Sequence, residues 1–142
     1  MKKLLLALSL LTGADALAGW HVNQHGVPLV LSVNEEKTPE TDASLGSVAA
    51  VLNGEFLITF KDDCQKKKAS VVIEGTKVKF DVSWNKALSQ CVLKPATKKG
   101  NLYMHDIFAS SENKYVKIFE RWYSTKGFLE AVEETEKLGE GI

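Results

Sequence analysis

From Lys77 to Trp84 the chain alternates strictly, with Val78, Phe80, Val82 and Trp84 on one side and Lys77, Lys79, Asp81 and Ser83 on the other. A period of two with one apolar and one polar side predicts a strand with one buried and one wet face. Ala69 to Ile73 precedes it across Glu74-Gly75-Thr76, so the two form a hairpin. Asn53-Gly54 signals a second hairpin between Val48–Leu52 and Glu55–Phe60, because that dipeptide suits a turn whose two central residues take positive φ. A short helix over Leu45 to Leu52, favoured by its two alanines, is the alternative there. Further strands are expected at Trp20–Gln24, Val27–Val33, Gln90–Leu93, Leu102–Phe108 and Tyr115–Trp122. Pro28 has no amide hydrogen and places its strand start, or a sheet edge, at that residue. Met104, Ile107 and Phe108 would equally suit a helical turn. The polar stretch Asn34 to Gly46, with Pro39, reads as one long loop.

The period changes at the end of the chain. From Thr125 to Leu138, Phe128, Leu129, Ala131, Val132 and Leu138 gather on one side, while Glu130, Glu133, Glu134, Glu136 and Lys137 fall away from it. Ser124 is placed to cap this helix and Gly139 to end it. The expectation is a mainly β fold: a single antiparallel β-sandwich or barrel-like domain closed by one C-terminal amphipathic helix.

The first eighteen residues follow another grammar. Lys2 and Lys3 lead an apolar run from Leu4 to Leu11, then Thr12-Gly13 and Ala14-Asp15-Ala16-Leu17-Ala18. That is the form of a secretory signal peptide, and the run is far short of the roughly 20 residues a membrane span needs. Cleavage is expected after Ala18, with a cut after Ala16 also permitted, leaving a single domain over residues 19–142 and no transmembrane anchor. The short basic start reads as bacterial, and hence as periplasmic or secreted. No Cys follows the run to take a lipid.

An oxidising compartment gives the only two cysteines, Cys64 and Cys91, an evident fate as a disulfide. The formal net charge is zero, and the leader holds two lysines and one aspartate, so the mature chain stays near neutrality. A duplex nucleic-acid binder needs a clustered positive surface; the one basic run, Lys66-Lys67-Lys68, follows Asp62-Asp63 and reads as a solvated turn.

Catalytic chemistry finds little support in the residue pattern. There is no Gly-x-Ser-x-Gly, and His105 beside Asp106 would point to the opposite face of a strand. Asp62-Asp63 fails as an acid/base pair for the same reason, and a non-enzymatic role is expected. A metal site is better posed: cleavage after Ala18 starts the chain Gly19-Trp20-His21, with His25 four residues on. A free amine, two backbone amides and the His21 imidazole close a square-planar nitrogen set suited to Cu(II) or Ni(II). The competing expectation is a binding module for a protein, envelope component or host molecule. Tyr115, Phe119 and Tyr123, on one side of a single penultimate strand, are its candidate aromatic surface.

One resemblance adds to this reading. Ser124-Thr125-Lys126-Gly127-Phe128, followed by Ala131 and Leu138, resembles the closing motif of the invasion-associated locus B family of secreted bacterial proteins. There a final strand runs into a Ser-x-Lys-Gly-Phe helix start. A Lys99-Gly100 turn before the last two strands and a Trp near the mature N-terminus are similar in placement. The likeness covers about a quarter of the chain; the family's early Cys after the Trp is missing. It implies a periplasmic or secreted β-rich domain with a non-enzymatic role, and carries over no catalytic residue.

Overall fold

The computed structural model describes residues 19–34, 46–61, 64, 66–87, 89–110 and 114–140. The leader, residues 35–45 of the long loop, Asp62-Asp63, and the side chains of Leu138 and Gly139 lie outside the described residues. The fold is mainly β and antiparallel. Among the described residues nine strands, β1 (His21–Val22), β2 (Pro28–Leu31), β3 (Ser47–Leu52), β4 (Glu55–Phe60), β5 (Lys68–Ile73), β6 (Thr76–Asn85), β7 (Gln90–Pro95), β8 (Tyr115–Ile118) and β9 (Arg121–Ser124), accompany two helices, α1 (Lys98–Ser110) and α2 (Phe128–Glu140). Seven strands form one sheet in the order β1-β2-β3-β4-β7-β6-β5, and β8-β9 is a separate hairpin.

That hairpin lies between the two ends of the sheet. Val33, just past β2, bridges Trp122 of β9 through Val33 N–H to Trp122 O at 2.8 Å and Trp122 N–H to Val33 O at 3.3 Å. On the other side β8 packs beside β5. The sheet therefore curls around a core, in the barrel-like form expected.

The expected hairpins are present. Asn53-Gly54 turns β3 into β4 with φ of 53° and 81°, and Glu74-Gly75 turns β5 into β6 with φ of 50° and 83°. Both pairs supply the two positive φ values of the tight turn that matches strand twist. β2 begins at Pro28, as its missing donor requires. β1 is shorter than expected, because Asn23 Oδ1 accepts the amides of His25 at 2.9 Å and Val27 at 3.1 Å, folding the chain into a turn.

Two expected strands are overturned. Leu102–Phe108 lies inside α1, whose Met104, Ile107 and Phe108 are buried at helical spacing. Thr97 caps it, its Oγ1 accepting the Gly100 amide at 2.9 Å, so Lys99-Gly100 is the helix's first turn and no strand connection. Tyr115–Trp122 is a hairpin, reversing at Phe119-Glu120, whose φ values are 49° and 64°. No glycine or asparagine marks that turn, so the pattern reads through it.

α1 lies across the end of the sheet where both hairpins turn. Asn101 accepts the Phe56 amide at 2.8 Å and donates to Gly54 O at 2.9 Å, while Tyr103 Oη donates to Ile73 O at 2.7 Å. Trp20, Phe56, Phe108 and Phe128 pack as one aromatic cluster beneath it, with Trp20 edge-on to Phe128 at 4.9 Å and to Phe108 at 5.5 Å. Such pairs stabilise by about 0.5–1.5 kcal/mol beyond the area they bury.

The closing motif completes this end of the core. Trp20 N–H donates to Lys126 O at 2.9 Å, and its indole Nε1 to Ser124 O at 2.7 Å. Gly127 takes φ of 79°, and a Cβ there would stand 3.0 Å from Trp20 O. Ser124 ends β9 and accepts the Lys126 amide at 3.1 Å, so it shapes the strand-to-helix turn and does not cap α2; the helix starts at Phe128 and continues through Gly139.

Candidate functional site: the outer face of the sheet

The two N-terminal metal candidates have different surroundings. The Trp20 amide, one of the four nitrogens a Cu(II) set needs, is donated to Lys126 O, and the Trp20 ring is buried. His21 Nδ1 stands 3.2 Å from Gly19 O and lines a cleft of about 600 Å³ beside the start of α2. His25 lies in the β1–β2 turn, apart from His21 across the Asx turn that Asn23 makes. Among the described residues no three His, Cys, Asp or Glu side chains gather as a metal group.

Tyr115, Phe119 and Tyr123 do not share a surface. The reversal at Phe119-Glu120 pairs Tyr123 with Val116 and Tyr115 with Ser124, putting the two tyrosines on opposite faces. Tyr115 is exposed; Phe119 packs edge-on against Phe60 at 5.9 Å and Phe80 at 5.8 Å; Tyr123 is fully buried. Ser47 Oγ donates its hydrogen to Thr59 O, so the Tyr123 hydroxyl must donate to Ser47 Oγ, 2.7 Å away. Burial holds this phenol far above the ordinary tyrosine range, with the Ser47 contact and Arg121 pulling the other way.

Cys64 and Cys91 form the expected disulfide, joining the β4–β5 connection to β7 with Cα atoms 5.6 Å apart. Closing a loop with a sequence separation of 27 stabilises by about 3–4 kcal/mol in the chain-entropy model. His105 and Asp106 sit on α1, about 100° apart around the helix axis. His105 Nε2 donates to Gly54 O at 3.1 Å and Asp106 is exposed, so the two hold no shared geometry.

The feature that stands apart is the sheet's second face. Side chains pointing inward join one large cluster, to which both helices and the β8-β9 hairpin contribute. Those pointing outward from β2, β3, β4 and β7 form another: Leu29, Val48, Ala50, Leu57 and Val92, with Val27 just before β2. Pairing puts them side by side, Leu29 opposite Ala50, Ala50 opposite Leu57 and Thr59 opposite Val92. Leu31 and Leu52 flank the patch, half-buried. Among the described side chains, none of either helix or of the hairpin belongs to this cluster. Leu29, Ala50 and Leu57 are 0% exposed.

At one corner the patch meets a polar rim. Val27 and Leu52 also line a cavity of about 480 Å³ with His25, Asn53, His105, Thr135 and Glu136. His25 Nε2 is buried, with no hydrogen-bond partner among the described residues. At another edge Lys94 pairs with Glu55 at 3.8 Å.

No family model matches this chain, and no curated protein or solved structure matches it either. No helix among the described residues is long and apolar enough to cross a membrane.

Alternation marks the hairpins but not this face, although a signal for it is present. Val48-Ala49-Ala50-Val51-Leu52 and Phe56-Leu57-Ile58 are unbroken apolar runs, and a strand apolar on both sides needs cover on both.

Proposed function

We propose that the chain is an exported, non-enzymatic binding domain that takes an apolar segment of a protein or envelope partner on the outer face of β2, β3, β4 and β7. The observation that carries this reading is the second apolar cluster, on the outer side of β2, β3, β4 and β7 and bordered by Glu55, Lys94 and the His25 cavity. A strand apolar on both faces needs apolar cover on both, and the partner segment would supply it on the outer one. Export is supported by the leader-like start and by the disulfide, a bond that persists in oxidising compartments. The closing motif supports membership of the secreted family it resembles, and its role here is architectural: it seats Trp20 and starts α2.

This reading ranks above N-terminal capture of Cu(II) or Ni(II), because the metal would have to take the Trp20 amide from Lys126 O. The test is a photo-reactive side chain placed at position 31 or 52, at the patch edge, against one at position 79 on the wet part of the same face. In the native envelope, cross-links to another molecule are expected from the first two positions and not from the third. Equal yields at all three, or none, would sink the proposal.

A further inference from the structure

The cavity of about 480 Å³ at the corner of the sheet is walled by the β1–β2 turn, the Asn53-Gly54 turn, α1 and α2. Its volume falls in the ordinary range of small-molecule sites, roughly 300–1,000 Å³. Val27, Pro28, Val51, Leu52 and Val132 give it apolar wall, and among the described residues no lysine or arginine lines it. It shares Val27 and Leu52 with the outer face, yet what it binds does not depend on whether that face takes a partner.

Most of the polar groups around this cavity have already spent their hydrogens. Asn23 takes the amides of His25 and Val27 on its Oδ1 and that of Gly26 on its carbonyl oxygen, while Pro28 has no amide hydrogen to give. The Thr135 hydroxyl donates to Ala131 O at 3.0 Å, which leaves only its lone pairs. His105 Nε2 donates to Gly54 O, so the neutral ring keeps a lone pair on Nδ1 and no further hydrogen. Glu136 is exposed, has acceptors alone, and forms no ion pair among the described residues. His25 Nε2 has no hydrogen-bond partner among the described residues, and it accepts whenever the ring proton sits on Nδ1. Asn53, which is exposed, is the one lining side chain obliged to bring hydrogens of its own.

Apolar walls, an excess of lone pairs and one carboxylate call for a guest that brings hydrogens and positive charge on an apolar body. We propose that the cavity is a binding site for a small organic amine. An ammonium group carries three donors and no acceptor, which suits Glu136, Thr135 and an imidazole, while the apolar part lies against Val27, Val51 and Leu52. An anionic guest would face Glu136 and leave these acceptors unsatisfied, so it is disfavoured on the same ground.

The experiment titrates the disulfide-bonded full chain with 2-phenylethylamine, with 2-phenylethanol, which has the same shape without the charge, and with phenylacetate, which has the opposite charge. Calorimetry should show the amine binding about tenfold or more tighter than the alcohol, and phenylacetate not binding. Glu136→Gln should weaken the amine about tenfold and leave the alcohol unchanged, and Thr135→Val, which removes an acceptor at similar volume, should weaken the amine several-fold. Methyl resonances of Val27, Leu52, Val132 and Thr135 should shift with the same saturation as the heat, and the remaining methyl spectrum of each variant reports that it has folded. A lysine side chain carries the same head group, so N-acetyl-lysine amide is titrated alongside; its narrow stem fills less of the cavity and should bind more weakly. No binding of the amine, equal affinity for amine and alcohol, undiminished amine binding by Glu136→Gln, or saturable shifts confined to other methyls would each overturn the proposal. Tighter binding of the blocked lysine would overturn it too, and would assign the cavity to the side chain of a partner.

Discussion

Strands β5 and β6 belong to the same sheet as β2, β3 and β4, yet the two halves solve burial differently. In β5 and β6 the outward residues Lys68, Ser70, Val72, Lys77, Lys79, Asp81 and Ser83 are all exposed, and the inward ones, Ile73, Val78 and Phe80 above all, serve the core. In β2, β3 and β4 the outward residues Leu29, Val48, Ala50 and Leu57 are as buried as the inward Val30, Ala49, Val51 and Ile58. Both halves share the inner core, but only the second is apolar on its outer side as well, and that is the side on which the proposed partner is to be sought.

Charge substitutions on the shared outer face should break the symmetry between the halves most sharply. Leu57→Asp is expected to cost about 4 kcal/mol or more in urea unfolding, since it places an unpaired charge among Leu29, Ala50 and Val92. Lys79→Asp, on exposed β6, should stay within about 0.5 kcal/mol. Similar costs at both positions would show that the outer face is uniform and the contrast illusory.

A smaller effect is expected at Tyr123, which reaches into the start of β3. Tyr123→Phe leaves Ser47 Oγ without its donor and should cost about 1 kcal/mol at neutral pH. Because the folded-state pKa is raised, the contribution is complete below the unfolded value of 10.0 and declines as pH climbs above it, where only the unfolded chain has released its proton. Unfolding followed along a pH series should therefore show wild-type stability falling above about pH 10 more steeply than that of Tyr123→Phe. Parallel slopes would place this phenol in water.

The smallest change falls at the β8-β9 turn, where Glu120 holds φ of 64°. Glu120→Gly relieves a left-handed conformation and should raise the melting temperature, gaining about 0.5–1 kcal/mol, with little lost from the exposed Lys117–Glu120 pair. A loss of stability would mean that side-chain contacts, and not backbone preference, set this reversal.

These contrasts also explain what could be read from residues alone. Hairpins announced by Asn53-Gly54 and Glu74-Gly75 were legible because glycine or asparagine supplied the positive φ. The hairpin at Phe119-Glu120 was hidden, since two residues poorly suited to that conformation are held there by the packing of Phe119 on Phe60 and Phe80. Leu102–Phe108 within α1 also fits a strand, although Met104, Ile107 and Phe108 carry the helical period; Thr97, the cap that decides it, lies outside that window. Tyr123 offered no sign of its burial, because the contact with Ser47 joins residues 76 apart in sequence. The outer face was visible in the apolar runs of β3 and β4, but alternation, which asks only for one buried side, passed over it.

The indole of Trp20 reaches Ser124 across 104 residues, and the backbone beside it is held by Lys126. Trp20 thus finds its seat only when the chain as far as Lys126 has been synthesised. Contacts of such long range form late and slowly. A chain emerging from the ribosome therefore cannot close this end of its core until Ser124 and Lys126 have followed Trp20 out.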